Sequence, residues 1–177
     1  MKVLKLVFII IVAAIVLSSC GLIFGNDEYY DAKFNSGKRG REKGLSLIYL
    51  INKKDASGIK NMFSDWNRKT KGNILDTEIQ ELLDAFPNGI SEYEIGSFVG
   101  GHGSYESWSV TYLSEGVNIY LPIKGWKASD EKQEISIDYT YIDKDHSDQI
   151  GVNKIIFYDR TDPADVKIIR VGEWPNN

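Results

Sequence analysis

Apolar residues recur every three or four positions between Leu45 and Phe86, the spacing of helix faces that pack against a core. The pattern divides into three predicted helices. Asp55 is a good N-cap for the second helix, and Asn73 is a candidate cap for the third. Pro87-Asn88-Gly89 ends the third helix, because proline cannot continue it and Asn-Gly favours positive φ. The apolar stripes consist of Leu45, Ile48 and Ile51, then Ile59, Met62, Phe63 and Trp66, then Leu75, Ile79, Leu82, Leu83 and Phe86.

From Ile90 onward the apolar positions alternate with polar ones, as in half-buried strands. Ser114-Glu115-Gly116 predicts a turn, and the polar segment 143–148 predicts another connection. Short loops between strands indicate antiparallel hairpins. Helices followed by such a meander predict an α+β domain, with three N-terminal helices packed on one face of an antiparallel sheet. The alternating runs are Trp108 to Tyr112, Val117 to Ile123 and Ile135 to Tyr141, and two further runs, Val152 to Tyr158 and Val166 to Val171, complete the predicted strands.

A short apolar segment with a basic start precedes the predicted domain. Lys2 and Lys5 come before an unbroken apolar run from Leu6 to Leu17. At twelve residues, this run is shorter than the ~20 residues that a membrane-spanning helix needs. A basic start, an apolar run and small residues, in that order, predict a signal peptide over residues 1–19. The alternatives are an uncleaved membrane anchor and an ordinary signal peptide that happens to end in cysteine.

Leu17-Ser18-Ser19-Cys20 resembles the lipobox of bacterial lipoproteins. The resemblance implies an S-diacylglycerol on Cys20, which becomes the mature N-terminus after cleavage. Cys20 is the only cysteine in the chain, and lipidation accounts for an unpaired thiol in an exported protein. Two acyl chains suffice for stable anchoring. We therefore expect a protein held by lipid at the extracytoplasmic face of a cell membrane, with no other cofactor.

Residues 20–43 are predicted to form a lipidated tether to a domain that spans residues 44–174. Glycines punctuate this segment, and the charged run 38–43 lacks apolar periodicity. The second half of the segment is equally consistent with a solvated start of the first helix. Tyr29, Tyr30 and Phe34 are many aromatic residues for a flexible linker, which favours docking of part of it on the domain.

The composition argues against nucleic acid and anionic lipid as partners, and against disulfides as a source of stability. Without residues 1–19 the chain keeps 19 of its 21 basic residues against 25 acidic ones, a formal net charge of about −6. A mildly acidic protein lacks the basic surface that binds nucleic acid, and anionic lipid headgroups repel it. No disulfide can form in a chain whose single cysteine is lipidated, so the fold depends on a packed core.

Four short segments occur in an order similar to that of a known family. They are Asn52-Lys53-Lys54-Asp55 running into Ile59-Lys60-Asn61-Met62-Phe63-Ser64, Leu75-Asp76-Thr77-Glu78-Ile79, Asn88-Gly89-Ile90-Ser91, and Ile150-Gly151-Val152-Asn153-Lys154-Ile155. Together they resemble a family of bacterial lipoproteins with a domain of unknown function, DUF5104, over Leu45 to Phe157. Three helices followed by a strongly curved antiparallel sheet is also the order of the NTF2-like (cystatin-like) superfamily. The resemblance implies an α+β cone and an envelope location, but no active-site residues.

Several catalytic and metal sites are not supported by the sequence. Residues 100–104 contain three glycines and His102, but a hydrolase needs a nucleophile elbow such as Gly-x-Ser-x-Gly, which is missing. We interpret this segment as a flexible hairpin loop. Asp143, Asp145 and Asp148 lack the glycine and glutamate of an EF-hand, and so predict a solvated loop. His102 and His146, in separate loops, are too few for a zinc site.

The NTF2-like resemblance implies a pocket between the helices and the concave sheet, where members of this superfamily often hold a small molecule. The alternative is that the aromatic residues on these faces are core residues. Some members are enzymes that use a tyrosine and an aspartate. Asp138 is the only carboxylate between Ile135 and Tyr141, and its parity puts it on the outer face, so such an enzyme would lack its base. Candidate pocket-lining residues are Trp66, Trp108, Tyr112, Tyr139 and Tyr141.

The sequence therefore favours a membrane-anchored, non-catalytic domain that binds a small hydrophobic molecule or an envelope protein. One alternative is a small-molecule isomerase or dehydratase that uses the cone pocket. Another is a purely structural accessory domain of an envelope complex. The sequence carries no motif for a metal, and we predict no catalytic residue.

Cys20→Ala is expected to abolish lipidation, because the chain has no other thiol that can accept a diacylglycerol. Metabolic labelling with a radioactive fatty acid, followed by cell fractionation, measures this directly. The wild type should carry the label in the membrane fraction. Acyl label that persists in the variant would contradict the assignment of Cys20.

Overall fold

The computed structural model of the protein describes residues 27–96, 101–106, 109–122, 133–162 and 164–175. This part is α+β, with five α-helices and a six-stranded antiparallel sheet. None of its helices is both long and apolar enough to cross a membrane. The predicted signal peptide, Cys20, Trp108 and Ile123 lie outside the described residues. The helices are α1 Asp27–Phe34, α2 Ser36–Lys53, α3 Ala56–Met62, α4 Asp65–Lys71 and α5 Asn73–Asp84.

Helix α2 begins inside the segment that was predicted as tether. Arg39 and Gly40 are buried in its first turns, so residues 36–43 form part of a packed helix, which is the alternative that the sequence left open for this half of the segment. The predicted N-cap at Asp55 is confirmed. Lys54 adopts a left-handed conformation with φ of 55°, and the Oδ1 of Asp55 accepts the Gly58 N–H at 2.8 Å to cap α3.

The predicted second helix forms two helices in the structure, because helical backbone is interrupted at Phe63. The backbone of Phe63 is extended, and the Ser64 N–H donates to the carbonyl oxygen of Val152 at 2.9 Å. The Ser64 side chain then caps α4 by accepting the N–H of Asn67. Trp66 therefore lies in α4 and does not continue the stripe of α3.

Helix α5 has the predicted apolar stripe but not the predicted cap. Its first residue is Asn73, and the N-cap position belongs to Gly72, which has no side chain that could cap the helix. After the helix, Gly89 has a φ of 72° in the predicted Asn-Gly turn. The Ile90 N–H donates to Asn52 Oδ1 at 2.6 Å, and Asn52 Nδ2 donates back to the Ile90 carbonyl at 3.0 Å. This pair of bonds fastens the end of the helical region to α2.

The sheet has the order β1-β3-β4-β5-β6, and β2 also pairs with β3. The predicted turn at residues 114–116 is wrong, since these residues continue β3 and pair with β4. The glycine-rich segment that was predicted as a hairpin loop is also a strand from residue 101 onward. The strands are β1 Glu94–Ile95, β2 Gly101–Glu106, β3 Ser109–Leu121, β4 Gln133–Asp143, β5 Gly151–Asp159 and β6 Lys167–Gly172.

Two irregularities interrupt the pairing of β4. Leu113 pairs with Ile142 and Ser114 with Thr140, so Tyr141 is an extra residue in β4. Asn153 is likewise an extra residue in β5, between the partners of Asp138 and Tyr139. Such bulges bend a strand and increase its twist. Each inserted residue also reverses the alternation of side chains, so the residues after it point to the opposite face from the one that simple alternation predicts.

One large core contains side chains from both helices and strands. Phe86 at the end of the helical region meets Phe157 of β5, with ring centroids 4.7 Å apart. Phe63 is buried against Gly172, whose φ of 72° and close approach to the ring leave no room for a side chain. A second, smaller cluster joins α1 to β3 and β4 through Ala32, Val110, Leu113 and Ile142.

Phe63→Ala is expected to lower the free energy of unfolding by ~3–5 kcal/mol, because it empties a site that is only 1% exposed. Lys60→Ala is the control. Lys60 makes an exposed ion pair with Asp76, with the Nζ and Oδ1 atoms 2.7 Å apart, and such pairs contribute only ~0–1 kcal/mol. Urea denaturation of both variants measures the difference. Equal midpoints would contradict the packing of Phe63.

Candidate functional site

A buried ion pair joins helix α2 to the middle of strand β3. The guanidinium of Arg39 faces the carboxylate of Glu115, and Nε donates to Oε2 at 3.1 Å while Nη2 donates to Oε1. The two side chains are 9% and 0% exposed. Paired donors of this kind give a charge-assisted contact with a fixed geometry. Because almost no water reaches it, loss of either partner would leave an uncompensated buried charge.

The remaining polar groups of this pair are also bound. Arg39 Nη1 donates to the carbonyl oxygen and to Oδ2 of Asp31, at 2.6 and 3.0 Å, and Nη2 donates to the Ala32 carbonyl at 2.9 Å. The Tyr139 hydroxyl donates to Glu115 Oε2 at 2.6 Å. The Tyr141 hydroxyl donates to Asp31 Oδ2 at 2.8 Å, and its ring lies 4.3 Å from the guanidinium carbon. We call these five residues the Arg39 cluster: Asp31, Arg39, Glu115, Tyr139 and Tyr141.

These contacts shift the pKa values of Arg39, Tyr139 and Asp31. Burial alone would lower the pKa of Arg39, but its hydrogen bonds and charge interactions with Glu115, together with Asp31, outweigh it and raise the pKa. Burial raises the pKa of Tyr139, and its bond to Glu115 raises it further. Hydrogen bonds from Asn35 and Tyr141 lower the pKa of Asp31. Arg39 therefore stays charged and Tyr139 stays protonated near neutral pH, which suits a structural contact rather than proton transfer.

The only two histidines of the chain line one open groove with a volume of about 520 Å³. We call it the histidine groove. Its other residues come from strands β3 and β4, the loop after β4 and the C-terminal tail. Among the residues that the structure describes, the lining consists of His102, Tyr112, Ser114, Asp143, Asp145, His146 and Trp174.

Strand pairing explains how the histidine groove is assembled. His102 pairs with Ser114, and Tyr112 pairs with Asp143. Paired residues of neighbouring strands have side chains on the same face, and so do residues two apart on one strand. Tyr112 and Ser114 therefore present one face of β3. Glu115, next along the strand, presents the other face to Arg39, so the groove and the Arg39 cluster lie on opposite faces of β3.

Asp143 shapes the loop that carries His146 and Asp145. Its side chain is 6% exposed, and Oδ1 accepts the backbone N–H groups of Asp145 at 3.1 Å and His146 at 2.8 Å. The predicted solvated loop is therefore correct for residues 144–148 but not for Asp143, which is buried. The His146 Nδ1 atom lies 3.6 Å from Asp143 Oδ1, farther than a hydrogen bond.

The chemistry of the histidine groove is that of a binding surface with two aromatic rings and two carboxylates. In the part of the chain that the structure describes, no three His, Cys, Asp or Glu side chains are grouped closely enough to hold a metal ion. Aromatic faces attract cations through their quadrupole, and carboxylates attract them by charge. The arrangement therefore suits an organic cation with an apolar part.

The structure distributes the predicted pocket residues over several places. Tyr112 lines the histidine groove, whereas Tyr139 is 1% exposed within the core. Tyr141 is 37% exposed and Trp66 is half-buried in α4. Trp108 lies outside the described residues. Of the four candidates that the structure describes, only Tyr139 and Tyr141 are brought together, by the Arg39 cluster.

The sequence interpretation missed the residues that organise both sites. The sequence predicts a turn at Glu115, although a lone carboxylate between the apolar residues Leu113 and Val117 is the available signal for a buried partner. The sequence predicts separate loops for His102 and His146, whereas the structure places His102 in β2 and both histidines in the lining of one groove. Asp138 agrees with its assignment to the surface, since it is partly exposed and its Oδ2 lies 3.3 Å from Lys154 Nζ.

Glu115→Gln is expected to lower the free energy of unfolding by ~3–5 kcal/mol, because it leaves the buried charge of Arg39 without its main partner. Asp31→Asn is the matched control. It removes the other carboxylate of Arg39, but that side chain is 40% exposed, and its loss should cost ~0–1 kcal/mol. Urea denaturation midpoints of the two variants measure the contrast. Similar losses would contradict the assignment of Glu115 as the dominant partner.

Comparison with known proteins gives a family but no activity. A family model described as "Domain of unknown function (DUF5104)" matches residues 46–160. No curated protein matches the chain. The matched range includes β3, β4 and β5, and with them Glu115 and most of the histidine groove, but it begins after Arg39 and ends before Trp174. Because the match spans more than half of the 177 residues, the chain belongs to the DUF5104 family, as its four sequence segments predicted.

Proposed function

We propose that the protein is a lipid-anchored binding domain that holds a small ligand in the histidine groove without transforming it. The observation that carries this proposal is the lining of the groove. Two aromatic rings, two histidines and two carboxylates converge there from separate parts of the chain. A concave site with a few convergent polar groups among apolar surface is the usual form of a small-molecule site.

The ligand class follows from the charge and the rings of the groove. Asp143 and Asp145 supply formal negative charge, while Tyr112 and Trp174 supply aromatic faces. An ammonium or guanidinium group satisfies both kinds of partner, because it pairs with a carboxylate and is attracted to a ring face. We therefore propose a small organic cation, or a molecule that ends in one. This replaces the hydrophobic ligand near Tyr139 and Tyr141 that the sequence favoured, since Tyr139 is buried in the core.

The geometry favours binding over turnover. Among the described contacts, Ser114 makes no side-chain hydrogen bond to either histidine, and His146 is 3.6 Å from Asp143, so the paired nucleophile and base of covalent catalysis are not formed. An isomerase that pairs a tyrosine with a carboxylate would need that carboxylate to reach the substrate. Glu115 is the carboxylate beside Tyr139, and it has no solvent exposure.

We further propose that the domain is an NTF2-like cone in which the helices cover one face of the sheet. The shared core of helix and strand residues supports this arrangement. The bulges at Tyr141 and Asn153 support a strongly curved sheet, because each bends its strand. The anchor at Cys20 and the extracytoplasmic location rest on the basic, apolar and small-residue order of the first twenty residues.

Choline is expected to bind the mature lipoprotein more tightly than its uncharged carbon isostere, 3,3-dimethylbutanol, because only choline carries the positive charge. Isothermal titration calorimetry with both molecules measures the contrast. Trp174→Ala should weaken choline binding by about tenfold, which corresponds to the ~1–2 kcal/mol of a partly desolvated cation–π contact.

Asp145→Asn and Asp148→Asn form a matched pair in the same exposed loop. Only Asp145 lines the histidine groove, so only Asp145→Asn should weaken choline binding. Equal binding of choline and its isostere, or equal effects of the two variants, would contradict a cation site. Chemical conversion of the bound molecule, detected by mass spectrometry, would favour the enzyme alternative.

A further inference from the structure

Helix α1 is fixed to the folded domain on one side. The carbonyl oxygens of Asp31 and Ala32 accept hydrogen bonds from Arg39, whose own position is set by Glu115. Ala32 is 2% exposed and packs with Val110, Leu113 and Ile142. Helix α1 therefore packs against the folded domain through this side.

The outer side of α1 carries two exposed aromatic rings. Tyr30 and Phe34 are 39% and 66% exposed. They are four residues apart, so they lie on the same side of the helix, and their rings stack with centroids 5.8 Å apart and planes 19° apart. We call this surface the Tyr30–Phe34 patch. It is a continuous aromatic surface rather than two scattered side chains.

The position of this patch in the chain points to a lipid surface as its partner. Only residues 21–26 separate Cys20 from the first residue of α1. Seven steps of extended chain span at most about 25 Å, so an acyl group on Cys20 keeps α1 within that distance of the lipid surface. No other helix or strand of the described residues begins so near the anchor along the chain.

We propose that the Tyr30–Phe34 patch lies on the lipid surface and sets the orientation of the whole domain on the membrane. This inference rests on the lipid anchor of the proposed function. Aromatic side chains are well suited to the boundary between headgroups and acyl chains. The formal charge of about −6 after removal of residues 1–19 disfavours anionic headgroups, so the contact is apolar and independent of salt. The interaction surface therefore fits a zwitterionic bilayer.

A spin label at Gly37 tests the proposal on the full lipoprotein. A side chain at Gly37 meets no atom within 4 Å, and the residue is exposed three positions after Phe34. Acylation of Cys20 leaves Gly37→Cys as the single free thiol. Electron paramagnetic resonance of the protein in phosphatidylcholine vesicles then compares collisions with a water-soluble nickel chelate. A label at Glu81→Cys, exposed on α5, serves as the solvent reference.

The label at position 37 is expected to be several-fold less accessible to the chelate than the label at position 81. Replacing the patch by Tyr30→Ser and Phe34→Ser together should remove most of that protection, and raising the salt concentration should leave it unchanged. Equal accessibility at positions 37 and 81 in an acylated chain would overturn the patch alone. An intact mass without acyl groups on Cys20 would instead overturn the anchor, and with it the tether on which the patch depends.

Discussion

The charged contact between Arg39 and Glu115 determines how the first two helices meet the sheet. Helix α2 approaches β3 closely at Gly40, where an added Cβ would come within 3.3 Å of the Val117 side chain. This close approach brings the guanidinium of Arg39 to the buried carboxylate. Arg39 then binds two carbonyl oxygens of α1. A single buried side chain thus connects two helices and a central strand.

A buried ion pair is a costly way to stabilise a protein, since desolvation of both charges offsets most of their attraction. An apolar pair of similar volume would often hold the helix as firmly. The ion pair differs in geometry, because the guanidinium fork fits its carboxylate and its carbonyl acceptors in only one arrangement. The Arg39 cluster therefore specifies where α1 lies more than how strongly it is held. That specificity matters if the Tyr30–Phe34 patch orients the domain on a membrane.

Local patterns in the sequence were enough to predict the class of the fold and most of its elements. The stripe of α5 and the cap at Asp55 depend on neighbouring residues only, and both are confirmed. The break at Phe63 depends on a contact with Val152, far away in sequence, and could not be read locally. The same holds for Glu115. The segment around it is typical of a turn, and its partner Arg39 is far away in sequence. Both histidines were visible in the sequence, but their place in one groove depends on strand register and on the loop after β4.

The extra residue in β4 explains why one strand can serve two different sites. By simple alternation, Asp143 would share a face with Tyr139 and Tyr141, the face that meets Arg39. Because Tyr141 is bulged, the residues after it change faces, and Asp143 becomes the partner of Tyr112. Tyr141 itself reaches Asp31 and the guanidinium of Arg39 from the bulge. One inserted residue thus completes the Arg39 cluster on one face and supplies a carboxylate to the histidine groove on the other.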